Sequence, residues 1–436
     1  MGKRIVINIA LFILSACSSI SLVAQHTEQE KTITELMDNY NFSAAINLAD
    51  TYLTADTGNI KLLLLKSKSL SGIFQYKQAF DVLKKAHELD TVNILVLAEL
   101  STLCQKKGDV KNAIQYCEKA CNLKPQNTYF QVQLGSLYFS IEKFRKCRDI
   151  LIPLYSSDST NQFVIRTIAD SYYEQRINDS AAFWYGRILV SSPYDLYATQ
   201  KLANIFIRTD NFEKGLKLTE NYIIKDTGLN PVLKYYAYFN YLLKDYNNAI
   251  TNFKKCLFLG DSTFFVFKNL GLSFYKKEVF DSAGLFFRQA YLIDTSDGET
   301  CFYYGATVAR SYLPDTGIIY LNKTFNLVMP SENFLSNIYF ELAEAYNLCS
   351  KPDTALAILE KARCIYPENN RLLFRIAYQW DYYLKNPVNA LTYYERFLKN
   401  KSNETEGYTG GATISFEDFA RNRISEIKKK NSQKKQ

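Results

Sequence analysis

The sequence predicts an all-α solenoid of repeated helix–turn–helix units with a C-terminal capping helix. Three observations carry the prediction. Small residues recur at every thirty-fourth position, at Ala45, Ala79, Ala113, Cys147, Ala181, Gly215, Ala249, Ala283 and Gly317. A second set keeps the same period at Ser101, Gly135, Ala169, Ala203, Ala237, Gly271 and Gly305. Around them apolar residues are spaced three and four apart, the period of one helix face. A fixed period overrides the division of a 436-residue chain into separate closed domains, because stacked repeats share a continuous core.

The composition agrees. A hydrophobic content of 47% with 22% charged residues is that of an ordered soluble chain. Nine prolines and seventeen glycines are few for this length and favour helices. The 33 Tyr and 29 Phe supply the large side chains that must sit opposite the small ones. The net charge of +8 resides mostly in Lys3 and Arg4 at the head and Lys428, Lys429, Lys430, Lys434 and Lys435 at the tail. The body between is near neutral, which argues against nucleic acid as a partner, since phosphates need a basic face.

Taken in order, residues 1–25 read as a signal peptide. Lys3 and Arg4 precede the apolar run from Ile5 to Ile13. Leu14-Ser15-Ala16-Cys17 then resembles a bacterial lipobox, which implies lipidation of Cys17. Cleavage near Val23-Ala24-Gln25 is the alternative. Either implies export, to the periplasm or outer membrane of a Gram-negative bacterium, with a membrane contact through the lipid if Cys17 carries one.

The unit is clearest from Thr128 to Asn161. Phe130, Leu134, Leu137 and Tyr138 form one helical stripe; a break follows at Glu142-Lys143; Phe144, Cys147, Ile150, Leu151 and Leu154 form a second. Asp158-Ser159-Thr160-Asn161 is a turn. This hairpin resembles the tetratricopeptide repeat (TPR). The resemblance rests on Leu134-Gly135 with Tyr138, Leu270-Gly271 with Phe274, and Tyr304-Gly305 in first helices. In second helices it rests on Tyr246, Ala249 and Phe253, and on Phe280, Ala283, Phe287 and Ala290. Lys124-Pro125, Ser192-Pro193, Asp294-Thr295 and Tyr366-Pro367 serve as closing turns. The resemblance implies a right-handed superhelix with a concave groove lined by first helices.

The array is placed at 27–399, about eleven repeats, the first degenerate as terminal repeats are. Four residues are inserted near Ser331-Glu332-Asn333-Phe334 and one near Asn386-Pro387. Each slip is read as a bend or a longer loop. Residues 400–414 are a polar, glycine-containing linker. Residues 415–427 are a capping helix, with Ser415 as N-cap, Asp418 three residues on, and an apolar stripe of Phe416, Phe419, Ala420, Ile424 and Ile427. Residues 428–436 are expected to be a disordered basic tail.

Little in the chain points to chemistry, and it is read as no enzyme. The two histidines are His26, at the cleavage region, and His87, inside an ordinary repeat, which leaves no histidine-based triad or metal site. The cysteines beyond Cys17 show no CxxC and fall mostly on packing positions; Cys117 and Cys121, one turn apart, lack further ligands nearby. Glu341 and Glu344 are expected to be solvated. Gly407-Tyr408-Thr409-Gly410-Gly411 lacks the Lys of a phosphate loop and reads as a hinge. Asp179-Ser180-Ala181, Asp281-Ser282-Ala283 and Asp353-Thr354-Ala355 open second helices, where Asp or Ser serves as a cap. The same triplets resemble periplasmic O-glycosylation acceptors. No metal or cofactor is expected.

By resemblance, function lies in the groove. Its register places Tyr129, Val132, Arg166, Tyr173, Lys201, Asn204, Lys234, Tyr238, Tyr241, Lys268, Tyr275, Phe302, Arg310 and Arg375 there, with some tyrosines packed between helices instead. Tyr and Arg together suit a protein or peptide partner, through rigid contact area and bidentate bonds to acidic groups. The alternative is an envelope glycan or other ligand on a tyrosine-rich platform. A clamp for a chaperone's C-terminal carboxylate, known in some TPR proteins, is not matched. Lys234 and Asn269 fit it, but Tyr238, Glu299 and Tyr303 do not.

Overall fold

The computed structural model describes residues 28–225, 231–311, 313–327, 332–400 and 415–433. The signal segment with Cys17, the stretch 401–414 and residues 434–436 lie outside the described residues. Every regular element among the described residues is helical. Eleven hairpins follow one another, from α1 (28–38) with α2 (Phe42–Ala55) to α21 (Asn370–Tyr378) with α22 (Pro387–Lys399), and α23 (Phe416–Gln433) comes last. The chain forms an all-α solenoid of helix–turn–helix repeats, grouped into two units, residues 1–205 and 206–436. Within each unit a helix packs mainly on those next to it in sequence.

Among the described residues, the turn inside ten of the eleven hairpins is set by backbone rather than side chain. One residue per turn adopts the left-handed conformation: Tyr40, Phe74, Gly108, Glu142, Arg176, Asp210, Lys244, Glu278, Ser350 and Lys385, with φ between +53° and +78°. The first eight are spaced thirty-four apart. The amide that follows each of these eight donates to the carbonyl five residues back, as Lys143 N–H does to Tyr138 at 2.9 Å. This closure satisfies carbonyls at the end of the first helix. Only one of these residues is glycine, so the series leaves no compositional trace.

The start of six first helices follows a second series, whereas Val232, Thr263 and Asn369 precede theirs without a side-chain capping bond. Asn59, Asn93, Asn127, Asn161, Asp195 and Asp297 accept amide bonds from the first turn of the helix that follows. Each satisfies a donor with no partner inside the helix. The second helices are capped less regularly. Asp179, Asp281 and Asp353 do not cap them, contrary to the expectation from sequence. The caps are Ile177, Val279 and Lys351, none with a side-chain bond, and each Asp lies in the first turn, facing the positive helix end.

The small residues mark where paired helices approach most closely. In α17 (Gly298–Arg310) and α18 (Pro314–Leu327), a Cβ added at Gly317 would lie 2.4 Å from Ala309 Cβ and 2.7 Å from Ala309 N and Gly305 O. At Gly305 it would lie 2.9 Å from Leu321 N. Ala45, Ala79, Ala113, Cys147, Ala181, Ala249 and Ala283 are fully buried at the same register.

Both irregularities of the period, read from sequence as a bend or a longer loop, are absorbed within helices. First helices such as α7 (Thr128–Ser140) have 13 residues, but α19 (Glu332–Leu348) has 17, one added turn. Four residues make about one turn, so the buried face keeps its direction. Phe334 from the added turn packs on Phe302 with centroids 5.2 Å apart. The single extra residue is taken up by a π-helical stretch, Gln379–Tyr383, continuing α21. Buried Gln379 there exchanges amide bonds with Asn347, 2.7 and 2.9 Å.

The C-terminal helix also departs from expectation. It continues through 428–433, which were expected to be disordered, because Ile427 is buried and Lys428 pairs with Glu395 at 2.7 Å. Ser415 Oγ accepts the Asp418 amide at 3.0 Å. Phe416, Ala420 and Ile427 join the core of α21 and α22. Arg423 forms a two-point bond to buried Asp381 in the π-helical stretch, 2.6 and 3.0 Å.

These contacts predict opposite outcomes for one chemical change. Gly317→Ala meets backbone atoms that cannot retreat and should lower stability by about 1–3 kcal/mol. Gly186→Ala, in a helix with nothing within 4 Å of the new Cβ, should raise it by up to about 1 kcal/mol. Urea unfolding followed by circular dichroism reads both; a stabilising Gly317→Ala would contradict the close approach.

Candidate functional site

In the first unit the first helices present a ladder of exposed large side chains. Leu95, Tyr129, Phe163 and Tyr197 hold the same place in α5 (Ile94–Lys106), α7, α9 (Gln162–Glu174) and α11 (Leu196–Arg208), thirty-four residues apart. They are 66%, 62%, 53% and 38% exposed. Two hollows adjoin Tyr129 and Val132. One, of about 280 Å³, is also lined by Thr102, Gln105, Gln133, Ser136 and Phe163. The other, of about 250 Å³, reaches Leu154, Asp158, Asn161 and Val164. Tyr129 and Val132 thus lie on an open face, and Tyr129 is steadied by an edge contact with Phe130 at 5.5 Å.

The cations assigned to the groove are engaged within the protein. Arg166 binds Asp195 at 2.6 Å and lies over the Tyr197 ring. Lys201 pairs with Glu174 at 3.6 Å and sits 4.0 Å above the Tyr173 ring. Lys234 pairs with Asp261 at 3.4 Å. Lys268 lies between Glu299 at 2.7 Å and Asp297 at 3.0 Å. Desolvation works against its ammonium, yet the two carboxylates outweigh it and raise its pKa. Arg310 grips Glu341 with both terminal nitrogens, one at 2.9 Å. These pairs bridge successive first helices, so the expectation of cations held ready for acidic groups is corrected: for these five, acids of the adjacent first helix or of the turn before it already hold them. Asn204 is half-buried on α11.

The aromatic residues assigned in the second unit are largely packing groups. Tyr238 and Tyr241 stack with centroids 5.9 Å apart, and Tyr238 meets Phe265 edge-on at 5.2 Å. Both are half-buried, and burial raises both pKa values. Tyr275 meets Tyr303 and Phe280 at 5.0 and 5.7 Å. Phe302 is 5% exposed and belongs to the core, not to a groove surface.

A polar cavity of about 480 Å³ opens further along, lined by Arg310, Glu341, Glu344, Arg375, Tyr378 and Tyr383 with Phe280, Phe340, Phe374 and Phe416. Glu341 and Glu344 are therefore not simply solvated. The first holds Arg310, and the second accepts the Tyr383 hydroxyl at 3.2 Å. Arg375 lies over the Phe340 ring. Desolvation lowers its pKa, against the pull of Glu341.

The eight cysteines among the described residues are free thiols. Burial pushes Cys104 and Cys147 up to about 11 and Cys256 up to about 12, so they are protonated at neutral pH. His87 meets Tyr116 edge-on at 5.8 Å, and desolvation lowers its pKa. Among the described residues no group of three or more His, Cys, Asp or Glu could hold a metal ion.

A family profile described as "Psidin, N-terminal TPR repeats region" matches residues 29–180. No curated protein matches the sequence. Similar solved structures include the APC/C hetero-tetramer Cut9–Hcn1, at 11% identity and a TM-score of 0.44, covering 91% of this chain and 95% of that one. Naa15/Naa10 bound to HypK-THB is similar at 13% identity and a TM-score of 0.43, covering 93% of this chain, which spans only 66% of that chain's length. A tetratricopeptide repeat protein from Parabacteroides merdae is similar at 13% identity and a TM-score of 0.39, with 56% and 97% covered. The helical hairpin, its 34-residue period and its small-residue crossings define a helical-repeat protein. The repeat is the tetratricopeptide repeat, on the residues quoted above and the profile match, not on these low identities.

The buried phenols imply a stability limit at high pH. Burial, with nearby carboxylates, raises Tyr138, Tyr275 and Tyr383 to about 12. In the unfolded chain they ionise near 10, so folding favours the neutral phenol. That contribution is complete below about pH 10 and is lost as pH rises towards about 12. The urea midpoint should fall across this window, while absorbance at about 295 nm shows tyrosines ionising late. A midpoint that stays level would contradict the burial.

Proposed function

We propose that this protein is a non-catalytic scaffold that binds a protein partner through a peptide segment laid along its first helices. The observation that carries this reading is the exposed ladder Leu95–Tyr129–Phe163–Tyr197 with its two hollows. Large apolar side chains repeated in register make a continuous surface, and such surfaces mark interaction sites. A non-catalytic role is supported by the cations tied to structural carboxylates.

Affinity capture tests the reading. The double variant Tyr129→Ala, Phe163→Ala should retain its helical signal and thermal transition but lose the partner that the parent recovers. Equal recovery by both would remove the ladder from the function.

The place of action is proposed to be the bacterial envelope, supported by the basic head, apolar run and Leu14–Cys17 lipobox of the sequence. Metabolic labelling with a fatty acid should mark the protein, and Cys17→Ala should remove the label. An unlabelled parent chain would leave cleavage near Ala24 as the export route.

A further inference from the structure

We infer that the face around Tyr129 selects an uncharged, extended peptide segment with apolar side chains, and not the acidic partner that its tyrosines and arginines suggest from sequence. The inference rests on the peptide-binding reading above and names the chemistry of the partner.

The first support is charge. Of the residues lining the two hollows, Asp158 is the sole carboxylate or cationic side chain, with twelve uncharged neighbours around it. Its carboxylate is turned to the Thr160 amide and hydroxyl, 2.9 and 2.6 Å away. Arg166, the nearest assigned cation on the same helices, is held by Asp195. An acidic segment entering here would lose hydration and find no free cation, whereas a neutral one loses little.

The second support is a waiting polar group. Gln133 lines the larger hollow and donates to Thr102 Oγ1 at 3.3 Å, but its Oε1 is buried without a hydrogen-bond partner. A buried carbonyl oxygen without a donor is costly. A peptide backbone N–H brought beside Tyr129 would satisfy it once the Gln133 amide turns outward into the hollow that it lines. An extended chain places successive side chains on opposite sides, so apolar side chains can enter the hollows while the backbone meets Gln133. The exposed Tyr129 ring between the hollows has the character of an anchoring residue.

The test is selection of a phage-displayed random peptide library on the full chain, followed by binding of the selected synthetic peptides. The inference expects sequences poor in Asp, Glu, Lys and Arg and rich in apolar residues. Their affinity should change less than about twofold between low salt and about 0.5 M NaCl. It should weaken at least about tenfold in Tyr129→Ala and also weaken in Gln133→Leu, which keeps the side-chain size but removes the acceptor. Arg166→Gln should leave it unchanged. A charged, salt-sensitive consensus that still needs Tyr129 would overturn the neutral partner and leave peptide binding standing. A consensus indifferent to Tyr129→Ala would overturn the site. No selected sequence from the folded parent would overturn the peptide-binding reading itself.

Discussion

The contact between the two helices of a hairpin at their small residues governs the rest of this structure. In α17 and α18 it is at its tightest, where the Gly317 position leaves no room for a Cβ. That closeness lets Leu321 and Phe302 fill the spaces on either side, and it sets how each first helix presents its other face. Interiors pack at crystal-like density, so once the crossing is narrow the surrounding aromatic residues have few places to go. Many of the tyrosines and phenylalanines are accounted for in this way, as stacks and edge contacts within the solenoid.

The second constraint is the turn. A left-handed residue followed by a bond five residues back ends the first helix at the same point in hairpin after hairpin. Where the chain carries additional residues, the turn is kept and the helix changes instead. α19 gains a turn, and the end of α21 becomes π-helical. Both changes preserve which side of the helix is buried, which a lengthened loop need not do. The π-helical stretch also brings Asp381 to Arg423, which fastens α23 over the last hairpin.

Electrostatics divides the first helices into two kinds of surface. At Arg166, Lys201, Lys234, Lys268 and Arg310 an acid from the adjacent first helix or the turn before it meets the cation, and the pair joins repeats. Where neutral residues project, as around Tyr129 and Gln133, the surface remains open. These five cations therefore serve cohesion, and the open surface around Tyr129 is neutral.

The sequence by itself determined the repeat, its period, the helical hairpin and the small-residue crossings, because a crossing that excludes a Cβ restricts residue type and so writes itself into every repeat. The same register singled out Tyr129 and Val132, which line the two hollows. The left-handed turn was not, since a single residue with positive φ tolerates Glu, Arg, Lys or Phe at modest cost and leaves no signature. The N-cap series Asn59, Asn93, Asn127 and Asn161 was legible in principle but is short and lies in polar turns. Only the tertiary structure decided which charges were occupied. Asp195, Asp297 and Glu341 lie about thirty residues from the Arg166, Lys268 and Arg310 that they hold. That distance is closed only by the stacking of one hairpin on the next.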